Sequence, residues 1–182
     1  MPPIPAEQLT DAQKQAAAEL AAGPRGQLTG PFVPLLRSPE FMSRLQKTGE
    51  YLRYNSALPP RLNEFVILIT ARQWTQQYEW FVHHPLALKA GLNADVAQAL
   101  AEGRRPTGMA EDEAAVYDFC DELFRTRSVS DATYARALAK FKEQGIIDML
   151  GVVGYYSTLS MIMNATRTPV PDGKTFLPSF PH

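Results

Sequence analysis

The sequence predicts an all-α protein, on three observations. Apolar residues recur at spacings of three and four from Thr10 to about Thr168. No strand-like alternation bounded by turn dipeptides interrupts them. The punctuation is helical, with capping residues at the starts and glycines just after the periodic segments.

The elements follow in order. Thr10 with Gln13 makes a capping box for a helix over 10–22, and Gly23 closes it. Ser38-Pro39 places an N-cap before an N1 proline and opens 38–54, and Leu58-Pro59-Pro60 opens 59–73. A helix over 76–90 stops before Gly91, and Asn93 starts another over 93–102, ended by Gly103. Two more are expected over 110–127 and, from the Ser130 cap, 130–143. Gly145 is read as the stop before an eighth over 145–167. The count is therefore seven or eight helices.

The last helix holds 18 uncharged residues between Asp148 and Arg167, near the lower limit for a membrane span. Gly151, Gly154, Ser157, Thr158, Ser160, Asn164 and Thr166 interrupt that run, so a buried central helix is expected and no membrane partner. Gly151 and Gly154, three apart, would let a neighbouring helix come close. Beyond Thr168, four prolines in residues 169–182 forbid a helix. Val170, Phe176, Leu177 and Phe180 are costly to leave in water, which predicts an extended C-terminal arm packed on its own body or on a neighbouring subunit.

Composition narrows the function. At 182 residues the chain is read as a single domain, with 18 basic against 19 acidic residues and no basic run, so nucleic acid is not an expected partner. Cys120 is the one cysteine, which removes an intramolecular disulfide, a CxxC redox pair and any multi-cysteine zinc site. The Met1-Pro2-Pro3-Ile4-Pro5 start has neither a basic nor an apolar leader region, so a cytoplasmic location is expected.

Chemistry concentrates between Leu58 and Gly91. Phe65 to Ile69 is apolar on every side, so that helix should be buried all round, with Glu64 and Arg72 at its two ends. Glu64 also suits the positive end of the helix dipole, a purely structural role. On the next helix Glu79 and His83 are four apart and share a face with Ala87 and Gly91. Such a pair can pass a proton, fix an imidazole tautomer or supply two ligands to a metal, or it can be a surface pair and nothing more. Tyr78, Trp80, Phe81 and Val82 crowd it with apolar surface that would shift a carboxyl or imidazole pKa. His84 points about 100° away from His83. A metal needs at least three ligands and would have to recruit Glu64, so no metal is expected. Pro85 removes the hydrogen bond to the Phe81 carbonyl and should kink the helix.

The pattern LPPRLNEFVILITAR, then QYEWFVHHPLALKAGL and NADVAQAL, resembles the carboxymuconolactone decarboxylase family, which shares its helical fold with AhpD-type alkylhydroperoxidases. The resemblance is strongest over 58–103, leaving an N-terminal helical extension (1–55) and the arm (169–182) outside it. It implies an AhpD-like helical bundle. The peroxidase branch has a glutamate, a cysteine twelve residues on, a second three later and a histidine four after that. Those positions are Glu64, Gln76, Glu79 and His83 here, so both thiols are missing.

The decarboxylase branch is similar in its Tyr78-Glu79-Trp80 run followed by His83. The resemblance implies a small-molecule substrate, no cofactor, and a lyase acting on a carboxylated lactone or similar acid in aromatic catabolism. On this reading His83 donates to the lactone oxygen or delivers the proton, Glu79 is its acid/base partner, and Glu64 orients the imidazole from the neighbouring helix. Tyr78 and Trp80 would contact substrate. Arg72 would clamp a substrate carboxylate or sit in a structural ion pair. The family fold also implies a homo-oligomer, trimer or hexamer ahead of dimer.

Overall fold

A computed structural model describes residues 1–179 of the chain. Among these are eight α-helices and no strand: α1 (Asp11–Ala22), α2 (Phe32–Leu35), α3 (Pro39–Tyr54), α4 (Pro60–Gln73), α5 (Gln77–Lys89), α6 (Ala94–Ala101), α7 (Glu111–Thr126) and α8 (Asp131–Thr166). Three of the expected side-chain caps form. Thr10 and Gln13 make the reciprocal box, and Asn93 and Ser130 accept from Asp95 N (2.8 Å) and Thr133 N (3.4 Å). Ser38 makes no side-chain cap bond, so α3 begins on the fixed φ of Pro39 alone.

α4 is the axis of the molecule. Phe65, Val66, Ile67, Leu68 and Ile69 are all essentially out of water, and α5, α6, α7 and α8 pack around them. Each such side chain contributes about 1.5–3 kcal/mol on burial, which is why an element without a polar face is stable here. α3 closes the bundle against α8. Gly151 makes the close approach the sequence suggested, since a Cβ there would lie 2.8 Å from Leu52 Cδ2, whereas Gly154 faces open space. More than half of the most apolar stretch of α8 is buried in the bundle, so its length and apolarity serve a core.

Three expectations need correction. The break between the last two expected helices falls at Lys142 (φ 60°, ψ 178°), not at Gly145, which is helical and packs its backbone on Phe141. Gly23 ends α1 with φ −83°, so only Gly91 and Gly103 among the expected stops are left-handed. The short α2 was not foreseen, because two prolines and a four-residue length leave no periodic signal. α5 continues through Pro85 as one element.

The C-terminal arm lies on its own body. Leu177 is buried, the Phe176 ring packs on Phe81 (5.6 Å between centroids), and Gln77 ties the arm down. Its Oε1 accepts from Phe176 N (2.8 Å) and Leu177 N (2.9 Å), while Nε2 donates to Leu177 O (2.7 Å). Val170 is partly buried, and the expectation for Phe180 lies outside the described residues.

Candidate active site

α4 and α5 form a hairpin through the three residues Trp74 to Gln76, with Thr75 in the left-handed region (φ 46°) to make the turn tight. Gln76 is the cap of α5: its Oε1 accepts from Tyr78 N (2.6 Å) and Glu79 N (3.3 Å), and its Nε2 donates to Asn164 Oδ1 (2.9 Å). A position that resembles a peroxidatic cysteine in pattern is thus occupied by a buried amide that holds the helix start.

The hairpin brings three predicted residues into one row. His83 Nδ1 lies 2.6 Å from Glu64 Oε2, and His83 Nε2 lies 3.4 Å from Glu79 Oε2. All three side chains are largely withdrawn from solvent. A carboxylate at Nδ1 fixes that nitrogen as the donor, so Nε2 presents its lone pair toward Glu79. Burial pushes the Glu79 carboxyl above the usual carboxylate range, opposed by the charges of His83, Arg25 and Arg53. Its Oε1 has no hydrogen-bond partner among the described residues. A Glu79 carboxyl in its protonated form can donate to Nε2. Because Glu64 and Glu79 lie at opposite nitrogens of one ring, they do not converge on a single point. Among the described residues no group of three or more His, Cys, Asp or Glu is placed to hold a metal ion.

A cavity of about 320 Å³ opens beside Glu79 and His83. Tyr78 and Val82 of α5 line it, together with Tyr156 and Leu159 of α8, Arg53 and Tyr54 of α3, and Arg25, Gln27 and Thr29 of the segment before α2. The volume is at the small end of ligand sites. Tyr156 stands edge-on to the His83 ring at 5.0 Å, and its buried hydroxyl has no hydrogen-bond partner among the described residues. Burial holds that phenol well above its ordinary pKa, so it stays a donor. Burial likewise pushes the neighbouring Tyr155 up to about 12.

The other predicted residues fall elsewhere. Trp80 is buried and stacks on His84 (5.6 Å, 16° between planes), which places both on the side of α5 away from the cavity. Arg72 is not brought to the cavity. Eight residues along α4 separate it from Glu64 by about 12 Å, and its Nη1 donates to Thr75 Oγ1 (3.3 Å) in the hairpin turn. Sequence reasoning missed Arg25, Arg53 and Tyr156. Arg25 and Arg53 lie on elements with no motif, and Tyr156 is one aromatic inside an apolar run.

Residues 39–122 match the model of the carboxymuconolactone decarboxylase family. The match begins at α3, so Arg53 lies inside it and Arg25 outside. Among solved structures, a protein of unknown function from Agrobacterium tumefaciens, named for AhpD antioxidant defence, aligns with a TM-score of 0.62 at 17% identity. The alignment covers 79% of this chain and 99% of that one, and at such identity the likeness is one of fold. No curated protein matches the sequence. Residues 39–122 are thus similar to the carboxymuconolactone decarboxylase family, and the described chain has an AhpD-like helical fold.

Proposed function

We propose that the protein is a cofactor-free lyase of the decarboxylase type, acting in the cytoplasm on a small carboxylated lactone or similar acid. One observation carries this reading: a single imidazole held at Nδ1 by Glu64 and facing a buried Glu79 at Nε2, beside a cavity of small-molecule size. In such a reaction the bond between the carboxylate and the γ-carbon of a butenolide breaks and carbon dioxide leaves. The electron pair runs into the ring to give a furanolate oxyanion, and one proton then returns to a ring carbon. The substrate accepts its own electrons, so the protein has only to stabilise an oxyanion and supply that proton. The Glu79–His83 pair is suited to the proton, and the Tyr156 hydroxyl to the oxyanion.

The antioxidant reading, suggested by the fold neighbour's name, is disfavoured on chemical grounds. Its route needs a thiolate and a resolving thiol, and Cys120 is buried with its thiol pushed up to about 12. The decisive experiment is mass spectrometry of the protein incubated with 4-carboxymuconolactone, beside Glu79→Gln and His83→Ala, with hydroperoxide consumption measured in parallel. Loss of carbon dioxide with wild type and not with the variants supports the reading. Full turnover by Glu79→Gln removes the mechanism, and a ligand-induced melting shift without a change in ligand mass supports binding without catalysis instead.

A homo-oligomer, trimer or hexamer ahead of dimer, belongs to the same proposal. Its support is the outer face of α8, where Ile147, Gly154 and Met161 recur every seven residues and stand exposed.

A further inference from the structure

The charges around the cavity are unbalanced. Where arginines elsewhere in the fold form ion pairs, carboxylates meet them, as in Arg44 with Glu40, Arg61 with Asp112, and both Arg105 and Arg136 with Asp118. Arg25 and Arg53 both line the cavity, and neither makes such a pair among the described residues. Arg25 donates to the Tyr155 hydroxyl (2.9 Å) and lies over the Phe32 ring at 4.8 Å, while the Arg53 guanidinium lies 5.4 Å from the Tyr54 ring centre. Aromatic faces hold a planar guanidinium in place while leaving its N–H edge free for an acceptor. The one acid in the cavity lining is Glu79.

The position of Arg25 is also built for. A Cβ on residue 49 would collide with the Tyr155 ring and lie 2.7 Å from Arg25 Nη2, so glycine on α3 leaves the space that this pair fills. Arg25 comes from the segment before α2, outside the family match, whereas the proton-handling row lies within it. Of the two cavity arginines, only Arg53 shares the matched region with that row.

We propose that Arg25 and Arg53 together clamp the anionic group of a small organic acid, in the place the sequence suggested for Arg72, and so select carboxylates over neutral analogues. The orientation of the acid's reacting carbon toward Glu79 and His83 rests on the decarboxylase reading, but the clamp itself does not. A carboxylate bridged by two guanidiniums gains charge-assisted hydrogen bonds that a neutral ester or amide of the same shape cannot make. Losing one arginine should weaken binding by about 10- to 100-fold.

The test is calorimetric titration with isophthalate, a ring dicarboxylate, and with its uncharged diamide. Wild type, Arg25→Gln, Arg53→Gln and Arg53→Lys are compared, with melting curves for each. Expected are binding of isophthalate but not of the diamide, at least tenfold weakening in each glutamine variant, partial recovery in Arg53→Lys, and weaker binding at higher salt. A protein that binds isophthalate in this pattern without decarboxylating any acid would retire the decarboxylase reading and leave the clamp. Should Arg25→Gln fail to fold, Arg53→Gln decides, because Arg53 gives up no hydrogen bond within the described fold. Equal affinity of wild type and Arg53→Gln, equal affinity for acid and diamide, or no isophthalate binding at millimolar concentration would each overturn the proposal.

Discussion

Gly49 and Tyr155 share one space: the tyrosine ring on α8 occupies the volume that any side chain at position 49 on α3 would need. An exposed helical glycine replaced by alanine gains about 1 kcal/mol from propensity, whereas overpacking costs about 1–3 kcal/mol. Gly49→Ala should therefore lower the melting temperature and, by pushing Tyr155 and Arg25 aside, weaken isophthalate binding. A variant with wild-type melting and affinity would show that the contact has no part in placing Arg25.

Glu79 gives a pH signature of known sign. Burial, the largest influence, raises its pKa in the fold, so the native state favours the protonated form. Its contribution to stability is complete below the ordinary carboxylate range and is lost as pH rises through the raised value. Glutamine at this position is neutral at every pH. The melting temperature of Glu79→Gln relative to wild type should therefore rise as the pH climbs above the ordinary carboxylate value of about 4, and stop rising once the pH passes the raised value in the fold. A difference that stays flat across this range would show that burial does not govern the group.

The arm is a structural strap. Truncation after Arg167 removes the buried Leu177 and leaves Gln77 without its three backbone partners. Burial of one leucine alone contributes about 1.5–3 kcal/mol, which in a chain of this size corresponds to a drop of about 3–12 °C in melting temperature. Calorimetry of the truncated chain checks this, and unchanged melting would contradict it.

Assembly is tested at the outer face of α8. Light scattering at micromolar concentration should give a mass of three or six chains, and Ile147→Glu, a charge at the most exposed large apolar residue, should shift it toward the monomer. A monomer mass for the wild type would remove the oligomer proposal.

What could be read from the sequence divides along a physical line. The helices that carry periodic apolar faces and side-chain caps were legible to within a residue or two, and so was the pairing of Glu64 with His83, through the family resemblance. The divergence of His83 and His84, about 100° apart on helix geometry, holds in the fold, where His84 stacks on Trp80. Arg25, Arg53 and Tyr156 were illegible because distant elements bring them to the cavity, and nothing local to any of them marks a site. Arg72 drew attention as a charge in an apolar helix, yet it serves the hairpin turn, a role visible only once the left-handed Thr75 is known.

The separation along the chain between interacting groups also sets the order in which the site can assemble and come apart. Glu64 and His83 are 19 residues apart on two consecutive helices joined by a tight turn, so closing one short hairpin is enough to join them. Arg25 reaches Tyr155 across 130 residues, and only after α3 and α8 have docked. Losing the Arg25–Tyr155 contact would therefore leave the Glu64–His83 contact, which the hairpin alone closes, in place.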